Sequence, residues 1–190
     1  ISILPLICYE IIFSGQLNID KSDYDFILNI SEDGWFGDSS RMYIAGSITK
    51  KASRLIEVTH DALLKGIEVV KPGNTFGDIG AAIQKYVEGK KMSVVRDFCG
   101  HGVGKSFHSA PNVLHFGEKN TGSKLETGMF FTIEPMVNLG KPDTKILSDN
   151  WTAVTKDKSL SAQFEHTVAV TNNGVEVLTL SPKNKFYPLI

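Results

Sequence analysis

Four titratable residues between positions 101 and 165 sit where charge is costly: His101 inside "CGHGVG", His108 just beyond it, Glu134 directly after "FFTI", and Glu165 after "QF". A carboxylate removed from water needs a cation, hydrogen-bond donors or a metal. Taken singly, each glutamate also reads as an edge-strand carboxylate or the partner of a buried Lys or Arg. Taken with His101, they form a donor set of one imidazole and several carboxylates. Such a set suits a divalent transition metal such as Mn, Fe or Co, and carboxylates bridging two ions allow a shared water to be deprotonated near neutral pH. His108, beside Phe107, reads either as a hydrogen-bonded structural histidine or as a donor to a substrate carbonyl oxygen or tetrahedral intermediate. The Gly-rich "GHGVG" predicts a tight turn that brings backbone and imidazole to one site, which favours the second reading. His60 and His115 lack such context and are expected at the surface. His166 adjoins Glu165, so strand alternation turns it to the opposite face.

The elements that must hold these residues follow from the hydrophobic pattern. "ISILPLICYEIIF" and "YDFILNI" are short apolar, β-branched runs bounded by Gly, Ser and Asp, as in buried strands. From Ile48 to Val70 the period becomes helical, with Leu55, Val58, Ala62, Ile67 and Val70 opposite Lys50, Lys51, Arg54, Glu57 and Asp61, and "KPG" (Lys71 to Gly73) ends it. Thr75 with Asp78 predicts a capped second helix carrying Ile79, Ile83 and Val87 on one face and leaving at Gly89. Strands resume with "MSVVRDF", "MFFTIEP", "WTAVTK", "QFEHTVAVT" and "VEVLTL", the last two joined by a hairpin turn at Asn173-Gly174. A strand pair, two helices and an antiparallel series predict an α+β fold with helices covering one face of the sheet.

Composition narrows the function by exclusion. At 190 residues and a formal net charge of -1, the chain has room for one sizeable core and no electrostatic footprint for nucleic acid. Two cysteines, Cys8 and Cys99, are too few for a disulfide framework and fit a reducing compartment, so a cytoplasmic location is expected. The apolar opening to Phe13 has no basic flank, contains Pro5 and Glu10, and falls short of the roughly 18 apolar residues of a membrane span, so no membrane association is expected. The sequence starts at Ile1 rather than Met, which suggests that an earlier segment is missing.

The segments "GDSSRMYIAG", "VVKPGNTFGDIGAAIQKYVE", "SVVRDFCGHGVGKSFHSAPNVLHF", "LETGMFFTIEPMVN" and "WTAVTKDKSLSAQFEHTVAVTNNGVEVLTL" closely resemble bacterial type I methionine aminopeptidases in order and spacing, from about Gly37 to Ser181. The resemblance implies a pita-bread fold, here truncated, and removal of the initiator methionine by a centre of two divalent ions (Co, Mn or Fe). It also implies that the partner is the N-terminal peptide of nascent proteins near the ribosome, and that the chain is a monomer. By the same resemblance Asp38, His101, Glu134 and Glu165 are metal ligands, Glu134 is also the general base, and His108 contacts the scissile peptide. Phe107 and Trp151 resemble walls of the methionine pocket, the alternative being plain core aromatics.

Two departures qualify this. The first of the family's two metal-binding aspartates lies eleven residues before the second, and here that position is Ile27. Asp25 keeps the strand parity but would sit about 7 Å further along unless the pairing slipped or bulged. Residues 1 to about 37 resemble instead the C-terminal nitrilase-like part of apolipoprotein N-acyltransferase. There "PLICYEIIFSG" resembles the nucleophile segment, with Cys8 as the thiol and Glu10 beside it, and "DFILNISEDGWFGDSS" the loop around Trp35. The expected organisation is a 1–37 segment of that kind followed by a 38–190 aminopeptidase-like domain whose N-terminal half is incomplete. Cysteine-dependent acyl transfer needs an activating Lys and a general-base Glu that the acyltransferase family supplies upstream of the cysteine. Cys8 is therefore expected to be a buried structural thiol. The alternatives to an active aminopeptidase are a catalytically inactive fusion or remnant and, behind it, the acyltransferase.

Overall fold

The computed structural model describes residues 12–13, 26–34, 37–106 and 108–180. In chain order the elements are β1 (Ile12–Phe13), β2 (Phe26–Gly34), β3 (Gly37–Ala45), α1 (Lys50–Glu68), α2 (Phe76–Gly89), β4 (Ser93–Val94), β5 (Gly100–Gly102) and β6 (Ser109–Val113). They continue with β7 (Phe130–Ile133), β8 (Met136–Asn138), β9 (Thr144–Ile146), β10 (Ala153–Thr155), β11 (Ser161–Gln163), β12 (Glu165–Thr171) and β13 (Gly174–Val177). The main sheet runs β2-β3-β12-β7-β5-β6 with antiparallel neighbours, and β13 also pairs with β12. Two three-stranded sheets, β11-β8-β4 and β1-β10-β9, accompany it, with β1 parallel to β10.

Both helices start where their side chains can cap them. The Thr49 side chain accepts from the N–H of Ala52, and Thr75 and Asp78 form a reciprocal capping box, with Asp78 accepting the Thr75 N–H at 2.8 Å. A cap of this kind stabilises a helix by about 1 kcal/mol. The apolar stripes then do more. Leu55, Ile56 and Leu63 of α1 and Ile79, Ile83 and Val87 of α2 are buried in one core with Phe131 and Ile133 of β7 and Val168 and Val170 of β12. Full burial of each such side chain contributes roughly 1.5–3 kcal/mol. The helices approach closely at Gly66, where an added Cβ would lie 2.7 Å from Ile83 Cδ1 and 3.2 Å from Ile133 Cγ2. The helix layer therefore rests directly on the strand that leads into Glu134.

Several expectations need correction. "GHGVG" is not a tight turn: Gly100–Gly102 is strand β5, with a register shift between His101 and Gly102. Its glycines serve close strand approach, because a Cβ at Gly100 would lie 2.4 Å from the Thr132 carbonyl oxygen and one at Gly102 2.2 Å from that of Ala110. "QFEHTVAVT" divides at Phe164 into β11 and β12, which join different sheets. The hairpin turn is Asn172-Asn173, and Gly174 already pairs with Thr171. The first apolar run lies outside the described residues except for Ile12–Phe13.

Candidate metal centre

Alternation along β7 and β12 sorts their side chains between two faces. Phe131, Ile133, Val168 and Val170 face the helices, which leaves Thr132, Glu134, Glu165 and Thr167 for the other face. Onto that face β3 brings Asp38 and β5 brings His101. The ligand atoms of His101, Glu134 and Glu165 lie within 4.8 Å of one another, and so do those of Asp38, His101 and His108. His101 belongs to both groups. Its Nε2 lies 3.5 Å from Asp38 Oδ2 and 3.9 Å from Glu134 Oε1, and its ring meets that of His108 edge-on at 4.3 Å. Asp38, His101, Glu134 and Glu165 are buried, whereas His108 is exposed. The sequence-predicted ligands thus converge, and His108 stands at their open side.

The donor set fits a divalent cation. Nδ1 of His101 bonds the Gly102 carbonyl at 3.2 Å, which holds the proton on Nδ1 and turns the Nε2 lone pair toward the carboxylates. This is the arrangement in which a histidine ligates a metal. Lone pairs facing one another in a buried site repel unless a cation lies between them, and Asp38 Oδ1 is buried without a hydrogen-bond partner.

Four residues not singled out for the site in the sequence hold this cluster in place. Thr132 Oγ1 accepts the His101 N–H at 2.9 Å and donates to Glu134 Oε1 at 2.7 Å. Gln163 Nε2 donates to Glu134 Oε2 at 3.4 Å. Thr167 Oγ1 accepts the Asp38 N–H at 2.7 Å and donates to the Asp38 carbonyl at 2.8 Å. Nε2 of His115 accepts the Glu134 N–H at 3.0 Å. Burial pushes the His115 pKa down to about 3, so this imidazole is neutral with its proton on Nδ1. The expectation of a surface His115 is therefore overturned: it is 2% exposed. The sequence signals that could have found them are the place of His115 after the apolar "NVL" and the i±2 parity of the threonines with Glu134 and Glu165.

His60 is likewise buried, not at the surface, because it lies on the α1 stripe between Ile56 and Leu63 and packs edge-on to Phe164 at 5.2 Å. Its pKa is lowered by burial, opposed by the Asp61 carboxylate. His166 points away from the cluster as expected, hydrogen-bonded to Thr179 Oγ1 at 2.8 Å, with its pKa pushed down to about 4, chiefly by burial. Trp151 is 48% exposed in the loop before β10. Phe107, Cys8, Glu10, Asp25 and Trp35 lie outside the described residues. The β2–β3 pairing runs without a bulge and sets Asp33 opposite Asp38 and Ile27 opposite Ile44.

The model of metallopeptidase family M24 matches residues 24–172. The chain belongs to metallopeptidase family M24. Within it, the chain is 59% identical over 158 residues to a methionine aminopeptidase of Rickettsia prowazekii, an alignment covering 82% of this chain and 61% of that protein. It is 47% identical over 180 residues to the methionine aminopeptidase of Escherichia coli K12, covering 95% of this chain and 68% of that protein. The solved methionine aminopeptidase of R. prowazekii superposes with a TM-score of 0.78 at 55% identity, covering 81% of this chain and 64% of that one. The prolidase of Pyrococcus furiosus, 23% identical, shares the fold with a TM-score of 0.58 over 82% of this chain and 41% of its own. This M24 chain therefore has the expected pita-bread fold, and it spans about three fifths of the length of the Rickettsia relative. Family membership and the clustered donors together support a divalent-metal site. Among the described residues no helix is long and apolar enough to cross a membrane.

Proposed function

We propose that this M24 chain is a methionine aminopeptidase, hydrolysing the peptide bond after the N-terminal methionine of newly made proteins. The observation that carries this is the convergence of Asp38, His101, Glu134 and Glu165 from different strands on one buried site, with His108 exposed beside it, in a chain so similar to methionine aminopeptidases. These four residues would hold two divalent ions of the Mn, Fe or Co class. Such ions supply Lewis acidity and lower the pKa of water.

The chain's own residues do the rest. Glu134, fixed through both carboxylate oxygens by Thr132 and Gln163, takes the proton from the attacking water and passes it to the leaving amine. His108 donates to the oxygen of the scissile carbonyl as it gains negative charge. Phe107 and Trp151 contact the methionine side chain. A second ion would be held more weakly than by a full five-residue set, because position 27 is isoleucine. With the observed pairing that position is also six residues, about 20 Å, along the hairpin from the neighbour of Asp38. A chain acting on nascent peptides in this way works as a cytoplasmic monomer close to the ribosome.

The missing aspartate favours one second reading, an inactive remnant that keeps the metal-binding cluster. The two separate in a single assay. Purified chain with Co or Mn and a Met-Ala-Ser peptide releases methionine if the proposal holds, and Glu134→Ala abolishes it. Folded, metal-loaded chain without turnover establishes the remnant instead.

A further inference from the structure

The two threonines of the site share a feature that ligand chemistry alone does not require. Thr132 and Thr167 are direct cross-strand partners in the β7–β12 pair, and both are fully buried. Each stands where a backbone ladder stops. β12 pairs with β3 at Glu165↔Ser40 and His166↔Ser39, and one step further the Thr167 side chain, not its backbone, grips both the N–H and the carbonyl of Asp38. The Thr167 N–H meanwhile turns to Thr179 Oγ1 at 3.2 Å, as β12 changes partner from β3 to β13. On the other side β7 pairs with β5 only at Phe131↔Gly102, and the Thr132 hydroxyl takes the His101 N–H that the ladder does not.

A hydroxyl has one proton to give. Thr132 gives its proton to Glu134 Oε1 while accepting from the backbone of His101, so one oxygen atom fixes the spacing between two ligands. Glycine makes both approaches possible: a Cβ at Gly37 would lie 3.2 Å from Thr167 Oγ1, and one at Gly100 3.0 Å from Thr132 Oγ1.

We infer that Thr132 and Thr167 are a paired positioning device for the metal centre, in which two side-chain hydroxyls replace missing ladder hydrogen bonds and set Asp38, His101 and Glu134 at their mutual distances. The inference rests on the metal-centre reading and goes beyond it. Neither threonine is a ligand; each acts through the residues it holds. Partners of this kind behind a ligand commonly contribute 10- to 100-fold in metal affinity. Valine keeps the shape of threonine and removes the hydroxyl, whereas serine keeps the hydroxyl.

The test is titration of the metal-free full chain with Co(II), read by calorimetry and by the visible d–d absorption, for wild type, Thr132→Val, Thr167→Val, Thr132→Ser and Thr167→Ser. The expected result is a roughly 10- to 100-fold weaker Kd and altered d–d bands in each valine variant, with serine variants close to wild type in both. Valine variants that bind as wild type does overturn the inference. So do serine variants as impaired as their valine counterparts, which would assign the threonines to packing. If a valine variant does not fold, the serine variants decide alone: a wild-type spectrum supports the hydroxyl role and a changed one overturns it. A folded wild type that binds no Co(II) instead removes the metal-centre reading beneath the inference, so the two failures are distinct.

Discussion

The two faces of strands β7 and β12 are both buried, yet they do opposite things. Toward the helices, Phe131, Ile133, Val168 and Val170 meet hydrocarbon from α1 and α2, and the edge-on contact of Phe76 with Phe131 at 5.0 Å is characteristic of that layer. Toward the site, Thr132, Glu134, Glu165 and Thr167 meet carboxylate, imidazole and hydroxyl. Burial alone therefore does not separate scaffold from chemistry. What separates them is whether each buried atom has found its partner within the protein. On the helix face the apolar contacts are complete. On the site face Asp38 Oδ1 has none. A cluster of carboxylates is a cost in folding that binding a cation offsets, so the site face should trade stability for function and the helix face should not.

The sharpest way to break this comparison is a substitution on each face. Glu134→Ala should lower the rate of methionine release by about 10³-fold or more, in line with loss of a general base, while leaving the melting temperature of the metal-free chain unchanged or raised. Leu55→Ala, under the helix face, should cost about 2–5 kcal/mol of stability in denaturant unfolding and leave the metal affinity of the folded chain as it was. Equal effects of both on both readouts would erase the distinction.

Metal should stabilise through the site face alone. Mn at about 100 times its Kd should add about 2.7 kcal/mol, seen as a rise in melting temperature that Glu165→Gln removes and Leu55→Ala keeps. The smallest effect expected is acid sensitivity on the helix face. Burial lowers the His60 pKa below its ordinary 6.5, so the unfolded chain binds the proton more readily. Stability is then whole above pH 6.5 and falls as the pH drops below it, levelling once the folded-state pKa is passed. One such group accounts for at most about 1.4 kcal/mol per pH unit. His60→Leu should flatten the metal-free chain's stability profile between pH 6.5 and 5. His115 and His166, held down to about 3 and about 4, keep the rest of the slope.

The helices were legible because they are written in independent signals that agree: Thr49 and Thr75 as caps, and Leu55 to Ile67 and Ile79 to Val87 as stripes. The buried carboxylates of the candidate cluster were legible because a carboxylate after "FFTI" or "QF" contradicts its surroundings. Other features were not, for identifiable reasons. "GHG" looks like a turn because glycine usually marks one, whereas here it admits neighbouring backbones at 2.2–2.4 Å from where a Cβ would stand. His115 looks like a surface residue until the N–H of Glu134 is found on its Nε2. Thr132 and Thr167 look like ordinary strand threonines, since what they hold comes from residues 31 and 129 positions away. The expectation that Ile27 stands where the family has a metal-binding aspartate came only through family spacing, because nothing in an apolar strand residue announces an absent carboxylate.

The most direct test of the account is calorimetric titration of the metal-free full chain with Mn(II), beside the Asp38→Asn, Glu134→Gln and Glu165→Gln variants. The account predicts saturable binding by the wild type, with a tight step and a weaker one, and loss of the tight step in every variant. A folded wild type that binds no Mn(II), or variants that bind it as tightly as the wild type, would contradict it.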